Sequence, residues 1–293
     1  MENDKSVCRK NVLLTGASGF IGRNIMSYLQ KGCNLYAPKR SELNLLSTED
    51  VEKYIIENNI NIVIHAANPN PVKNNLDCPD KMFEDSIRIF MNLYSAREYY
   101  ERMYTLGSGA EYDKRRDLYL IKEDEDSSVP ADAYGLAKYI INKLCINSEK
   151  HYNLRVFACY GPTDHESKFI THVIRCCLKK EDITIRQNCF FDYMHVHDLA
   201  KILLFFIYHK PQYHTYNVCT GKRVTLEEIA KKVQRQMKTN NDIVILKEGW
   251  NKEYTGNNER LLKELGKEYS FITLDAGIEI QIKSELELFE KRM

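Results

Sequence analysis

No apolar run in this sequence approaches the roughly 20 residues that a membrane-spanning helix needs. The N-terminal stretch Met1-Glu-Asn-Asp-Lys-Ser6 is polar and has no apolar signal-peptide core, so a cytoplasmic protein without membrane partners is expected. Excess charge is missing as well: 42 basic residues face 41 acidic ones, for a net charge of +1. That balance leaves no broad electrostatic footprint for nucleic acid or an anionic membrane. The nine cysteines are scattered, with no Cys-x-x-Cys pair, and are expected as reduced thiols with no zinc site. Among eight histidines only His195-x-His197 has ligand-like spacing, which more often marks a strand end than a metal, so no metal is expected. Repeats, low-complexity tracts and long linkers are absent too.

What is present suffices for a substantial core. Of 293 residues 43% are apolar, enough for one large domain or two interlocked ones. The stretch Asn11-Val-Leu-Leu-Thr-Gly-Ala-Ser-Gly-Phe-Ile-Gly-Arg23 organises the rest. It reads as a strand, a tight turn with Gly16, Gly19 and Gly22, and an amphipathic helix over residues 20–30. In such a turn the first glycine permits the sharp bend and the second lets backbone approach a pyrophosphate. The third lets helix pack closely on strand. Free N–H groups and the dipole at the helix start favour the phosphate charge.

Strands and helices alternate beyond it. Strands are expected at 33–37, 61–65, 102–106 and 154–158, with helices from Ser47 or Thr48, over about 80–99 and over 134–149. A polar loop with Pro69 and Pro71 precedes the long helix. This alternation predicts right-handed crossovers and an α/β fold with a Rossmann-type, doubly wound parallel sheet. The second half is less regular. Helices are expected over 169–179, which includes Cys176-Cys177, and over 197–208, 224–237 and 259–265, with extended segments at 183–186, 216–219 and 243–246. Asn258 is a candidate helix cap and Gly266 a candidate stop. The division expected is a dinucleotide-binding domain over 1–162 and a smaller substrate lobe over 163–293, part of about 190–236 returning to the sheet.

The candidate chemistry lies in the middle of the chain. The strand at 102–106 runs into Gly107-Ser108-Gly109-Ala110, at the sheet edge where open α/β folds bind ligands. Tyr134-Gly-Leu-Ala-Lys138 places a phenol and an ammonium on one helix face. A lysine beside a tyrosine favours phenolate and is expected to lower the tyrosine pKa from about 10, suiting it to proton transfer. The alternative is a buried tyrosine with a surface lysine.

Taken in order, the glycine turn, the serine and Tyr-x-x-x-Lys resemble the extended short-chain dehydrogenase/reductase family (NAD-dependent epimerases and dehydratases) that works on nucleotide sugars. The likeness covers nearly the whole chain. It includes Ile64-His-Ala-Ala67, Tyr160-Gly-Pro162, Asp192-Tyr-Met-His-Val-His-Asp198 and Tyr216-Asn-Val-Cys-Thr-Gly221. Within the family, Arg40-Ser-Glu-Leu-Asn-Leu-Leu46 and Leu106-Gly-Ser108 are similar to GDP-L-fucose synthase and related 4-keto-sugar reductases. The resemblance implies Ser108, Tyr134 and Lys138 as the catalytic set. It also implies a dinucleotide held by Gly16, Ser18, Gly19, Phe20, Ile21, Gly22, Asn44, Leu45, Ala66, Ala67 and Lys138. Lys39 and Arg40 stand where NAD-selective proteins offer an acidic residue, and would suit a 2′-phosphate, so NADP is expected rather than NAD. The alternative there is a solvated basic turn. A nucleotide-sugar substrate and a homodimer built on the 80–99 and 134–149 helices are also implied.

Departures from the family pattern qualify this. Fucose synthases epimerise as well, with a cysteine two residues after the serine and a histidine beyond Tyr-Gly-Pro. Here His172 has the matching spacing, but Ala110 holds the cysteine position, which implies a plain C4 reductase with His172 left to substrate binding or packing. Ala158 replaces a frequent asparagine. Phe191 replaces an arginine that meets the nucleotide diphosphate, with Arg186 near enough in sequence to substitute. A dehydratase would carry an acidic pair at Gly109-Ala110; Glu111, the nearest carboxylate, is out of register. An epimerase would usually have an acidic residue in place of Lys39-Arg40. A non-catalytic NADP sensor would tend to lose the tyrosine or the lysine.

Overall fold

The computed structural model describes residues 9–69, 79–125, 128–266 and 268–291. The N-terminal hexapeptide, Pro71, Cys8 and Cys78 lie outside the described residues. The strands of the first half are β1 (Asn11–Thr15), β2 (Asn34–Tyr36), β3 (Ile62–His65), β4 (Arg102–Ser108), β5 (Leu118–Ile121), β6 (His151–Val156) and β7 (Ala158–Tyr160). Those of the second half are β8 (Ile183–Asn188), β9 (Phe190–Phe191), β10 (Tyr193–His195), β11 (Thr215–Val218), β12 (Val224–Thr225), β13 (Ile243–Trp250) and β14 (Tyr254–Gly256). Four helices fall in the first half: α1 (Phe20–Gly32), α2 (Thr48–Glu57), α3 (Pro79–Ser95) and α4 (Ala133–Ile146). Five follow: α5 (Phe169–Lys179), α6 (Val196–Tyr208), α7 (Leu226–Met237), α8 (Glu259–Leu265) and α9 (Leu274–Glu290).

Six strands form one parallel sheet in the order β11-β6-β4-β3-β1-β2. Alternation along each strand sends side chains to two cores, as a parallel sheet covered on both faces requires. Val12, Leu14, Ile62 and Ile64 pack with Ile25 and Leu29 of α1 and Leu199, Leu203 and Phe206 of α6. Leu13 and Val63 face the other way, onto Val51 and Ile55 of α2, Phe90 and Leu93 of α3 and Ile141 of α4. The chain leaves β1 toward β2 on one side, then crosses back to β3 on the other. The switch in direction opens a crevice at the carboxyl ends of β1 and β3, which is where this architecture binds ligands.

The remaining elements build a lobe over that crevice. The parallel pair β8–β13 lies against α5, α7 and α9, which bury Val173, Ile174, Ile183, Ile185, Ile229, Val233, Ile278 and Ile282 together. A second small sheet, β12-β9-β14-β5, draws one strand from the first half of the chain. Two buried aspartates tie the layers. Asp192 accepts hydrogen bonds from the Thr220 N–H (2.9 Å), the Thr220 hydroxyl (2.6 Å) and the Gly221 N–H (2.7 Å). Asp198 accepts from the Ile272 N–H (2.8 Å), pinning the approach to α9 onto α6.

Several local expectations need correction. The long third helix stops at Ser95 and continues only as a 3-10 turn over Arg97–Tyr99. Asn258 does not cap α8 with its side chain, which instead donates to the Cys219 carbonyl (3.0 Å). Helix α9 goes unnoticed in the sequence because Ile278-Glu-Ile-Gln-Ile-Lys283 alternates like a strand. Its buried face holds Gln281 and Glu285 beside Ile278 and Ile282, so polar residues interrupt the apolar stripe. The seven described cysteines are all free thiols.

The Asp192 clasp gives a stability test. Asp192→Ala strands three half-buried donors, and a loss of about 3 kcal/mol is expected from denaturant unfolding. A loss below about 1 kcal/mol would show that water replaces the carboxylate there.

Candidate active site

The turn after β1 is shaped by contact rather than by propensity. Gly16 adopts φ +72°, and a Cβ there would lie 2.6 Å from the Ala67 N and 2.7 Å from the Ala66 carbonyl oxygen, at the end of β3. A Cβ on Gly22 would come within 2.6 Å of the Ala17 Cα, so only glycine lets α1 close down on the turn. Gly19 stands at the N-cap of α1 with no side-chain cap, and the first turn of α1 has no acidic residue. Its first N–H groups therefore remain for an external anion. The cradle a Cβ would fill, the bare helix end and the switch-point crevice together fit a dinucleotide pyrophosphate. Past β2, Lys39 and Arg40 are exposed on the cleft wall, followed by Asn44 and Leu45. Ser18, Phe20, Ile21, Ala66 and Ala67 line the same cleft, whose volume is about 1200 Å³.

Ser108 ends β4 and starts a 3-10 turn over Gly109–Glu111, its hydroxyl accepting the Ala110 N–H (3.1 Å). Asp132 caps α4 through the Gly135 N–H (2.9 Å). Gly135 packs so closely on the serine turn that a Cβ would lie 2.5 Å from the Ala110 carbonyl oxygen. That contact delivers Tyr134 to the serine turn, where Ser108 acts to lower its pKa, and Tyr254 comes to the same turn, its hydroxyl so near Gly109 that a Cβ there would lie 2.5 Å away. One helical turn on, Lys138 is buried and donates from Nζ to the Leu106 carbonyl (2.8 Å), 6.0 Å from the centre of the Tyr134 ring. The structure thus brings Ser108, Tyr134 and Lys138 to one point on the cleft wall.

The electrostatics correct the expectation of a lowered tyrosine. Burial raises the Tyr134 pKa above 10, and the negative charges of Glu111 and Asp132 add to it, against the hydrogen bond with Ser108. Burial also lowers Lys138 to about 8, opposed by Glu111. With the lysine bonded to a carbonyl, desolvation outweighs its pull on the phenol. His65, at the end of β3, is held neutral by burial, its pKa lowered to about 3, and shares a 3.0 Å hydrogen bond with Thr15.

Two expected substrate residues stand elsewhere. Arg186 is exposed on β8 and does not line the cleft. His172 lies on α5 with Nε2 3.6 Å from the Cys176 Sγ, in a separate cavity of about 470 Å³ walled by Arg175, Glu285 and Phe289. The buried face of α5 takes Ile170, Val173 and Ile174 into the lobe core, which turns His172 away from the cleft. Ala110 is itself buried (1% exposed), under the serine turn. The cleft is also lined by Asp164, Lys168, Tyr193, Glu253 and Tyr254, with Ala158 and Phe191. Asp164, Lys168, Glu253 and Tyr254 were missed in the sequence; a signal was available for Asp164, directly after the turn Gly161-Pro-Thr163. Among the described residues, no cluster of three or more His, Cys, Asp or Glu could hold a metal, and no helix is long and apolar enough to cross a membrane.

Asp164 supplies a pH test. Burial lifts its carboxyl to about 7, against the His165 N–H (2.8 Å) and the Lys168 charge. The folded chain keeps this proton to about pH 7, whereas the unfolded chain releases it near 4. The contribution of the neutral acid to stability is complete below about pH 4 and is lost as the pH rises through about 7. Asp164→Asn stays neutral throughout. It is expected to raise the melting temperature at pH 8 but not at pH 4, and equal shifts at both would rule the effect out.

Comparison with known proteins agrees with this geometry. The chain is 28% identical over 255 residues to the GDP-L-colitose synthase of Yersinia pseudotuberculosis, covering 76% of this chain and 81% of that protein. It is 24% identical over 259 residues to the GDP-L-fucose synthase of Sinorhizobium fredii, covering 80% and 82%. A GDP-mannoheptose C4 reductase of Campylobacter jejuni, solved with NADP bound, shares the fold with a TM-score of 0.80 at 16% identity, covering 95% and 98%. The NAD dependent epimerase/dehydratase family matches residues 12–219, and the chain belongs to that family.

Proposed function

We propose that this protein reduces the C4 ketone of a nucleotide-linked 4-keto-6-deoxy sugar with NADPH, in the synthesis of a deoxysugar for surface polysaccharide. The observation that carries this is the convergence of Ser108, Tyr134 and Lys138 on the cleft that also holds the glycine turn and Lys39-Arg40. The names of the sequence relatives, synthases of GDP- and CDP-linked deoxysugars, support the substrate class.

The dinucleotide, when bound, supplies the hydride. Its pyrophosphate would be held by the Gly16–Gly22 turn and the bare end of α1, its 2′-phosphate by Lys39 and Arg40, and its nicotinamide ribose by Lys138. The Ser108 hydroxyl orients the C4 oxygen, and Tyr134, protonated because burial raises its pKa, gives the proton to that oxygen. Lys138 as ammonium then favours the phenolate left behind. Tyr254 closes the serine turn on its other side, its hydroxyl against Gly109. Ala110, buried and without acid–base chemistry, supports reduction without epimerisation at C3 or C5. This reading includes a homodimer through the outer faces of α3 and α4, where Met91 (41%) and Ile146 (40%) are exposed.

The test is loss of NADPH absorbance with a panel of freshly prepared nucleotide 4-keto-6-deoxy sugars in deuterated water, products read by NMR. One substrate should be turned over without deuterium at C3 or C5, and Tyr134→Phe should lower kcat by about 10²–10⁴-fold. Deuterium at those carbons would establish an epimerase instead, and turnover surviving Tyr134→Phe would remove the tyrosine from the mechanism. Replacing Lys39 and Arg40 together by Ala should weaken NADPH binding at least about tenfold and leave NADH binding unchanged, since only the 2′-phosphate contacts are lost. Equal loss of both would make the basic turn a solvated surface.

A further inference from the structure

Behind the serine turn lies a buried ion pair that no step of the proposed reaction uses. Glu111 and Arg155 are both fully buried (0% exposed). Glu111 Oε1 accepts from the Ser108 N–H (2.9 Å) and from Asn153 Nδ2 (3.0 Å). Oε2 accepts from Asn153 Nδ2 (2.9 Å) and from Arg155 Nε (2.6 Å). Arg155 also donates to the Tyr112 hydroxyl (2.7 Å) and to the Glu123 carbonyl (3.0 Å). Both carboxylate oxygens are thus occupied, and the guanidinium that answers them is fixed in place.

Stability alone does not call for such a pair. Desolvating two charges costs several kcal/mol, and packed apolar side chains of similar volume often do as well or better. What the pair does have is position. Glu111 holds the N–H of Ser108 (2.9 Å), and its Oε1 lies so close to Gly107 that a Cβ there would be 2.3 Å away, while Lys138 donates to the carbonyl of the preceding residue, Leu106 (2.8 Å). The carboxylate thus sits beside the ammonium, where its charge opposes loss of the Lys138 proton. The titratable groups around Lys138 otherwise leave it poorly supported. Tyr134 and Cys145 on its own helix are a neutral phenol and a neutral thiol with raised pKa values, and His65 on β3 is neutral. On β6, Arg155 is taken up by Glu111, Tyr112 and Glu123, and His151 sits at the opposite end of the strand from Val156, which pairs with Ser108. On the serine turn itself the only charge is Glu111. Asp85 of α3 lines the same cleft, and Asp132 caps α4 beside Tyr134.

We propose that Glu111 is a positioning residue: its buried carboxylate sets the Ser108 turn and keeps Lys138 in the ammonium form on which the tyrosine depends. This rests on the reductase reading for its purpose but not for its test. The cofactor-free protein is labelled isotopically at the lysine side chains, and the Lys138 signal, identified by its loss in Lys138→Arg, is titrated by NMR. In the native protein the midpoint is expected at about 8. In Glu111→Gln it should fall by about one unit, roughly tenfold in protonation, because a nearby opposite charge has gone. Should Glu111→Gln not fold, Glu111→Gln/Arg155→Met removes both charges and strands neither, and the midpoint should still fall, by less, because loss of the more distant guanidinium charge offsets part of the effect. A native midpoint below pH 7, or an unmoved midpoint in a folded variant, overturns the proposal. A purely structural Glu111 would change the melting temperature and leave the midpoint alone. No sugar or dinucleotide enters the experiment, so its failure is distinct from failure of the proposed reaction.

Discussion

Everything functional in this molecule depends on how closely three backbone turns approach one another at the carboxyl edge of the parallel sheet. The turn after β1 presses on the end of β3 at Gly16, α1 presses on that turn at Gly22, and α4 presses on the turn after β4 at Gly135. None of these contacts leaves room for a β-carbon. Closeness at the first two makes an anion cradle from main-chain N–H groups. Closeness at the third carries Tyr134 to Ser108, although they lie 26 positions apart in the sequence. The sheet supplies the rigidity, because its strands are buried on both faces and cannot shift register without turning apolar side chains to the wrong core.

The irregular half of the chain is held by polar clasps rather than by ridges of apolar side chains alone. Asp192 grips the Thr220–Gly221 turn, and Asp198 grips the backbone at Ile272. Asn217 donates to the carbonyls of Ile121 (2.8 Å) and Asn257 (3.2 Å) while its N–H meets Glu123 (2.9 Å). Each clasp joins segments far apart in sequence across the boundary between sheet and lobe. Buried polar groups of this kind are costly when unpaired, so they fix one arrangement of the two layers more sharply than apolar contact would.

This division explains what was legible in the sequence. Continuous apolar strands, glycines at a strand end and a phenol four residues before a lysine are local patterns, and residues 11–23, 62–65 and 134–138 carry them openly. The cleft's other wall is assembled from single residues of several elements, such as Asp164, Tyr193 and Tyr254, with no shared spacing to betray them. His172 misleads for a related reason: its distance from Tyr160-Gly-Pro162 fits a site residue, but the side of α5 that it occupies is set by Ile170, Val173 and Ile174. Helix α9 hides because its buried face is half polar. The effect of Lys138 on Tyr134 was misjudged because helical spacing fixes which face two groups share and says nothing of how much water they lose.

That loss of water bears on the direction of the proposed chemistry. Burial pushes Tyr134 and Lys138 toward their neutral forms, the phenol upward and the ammonium down to about 8. A tyrosine that started as phenolate would be poised to take a proton from an alcohol, as oxidation requires. One that starts protonated is poised to give a proton to a developing alkoxide, as reduction requires. A resting phenol at this position suits the proton donation that the proposed reduction requires. The phenolate formed in the act would lie beside Ser108 and near the Lys138 ammonium. Groups that do little for the resting phenol thus favour its conjugate base, which places the stabilisation where the reaction develops charge.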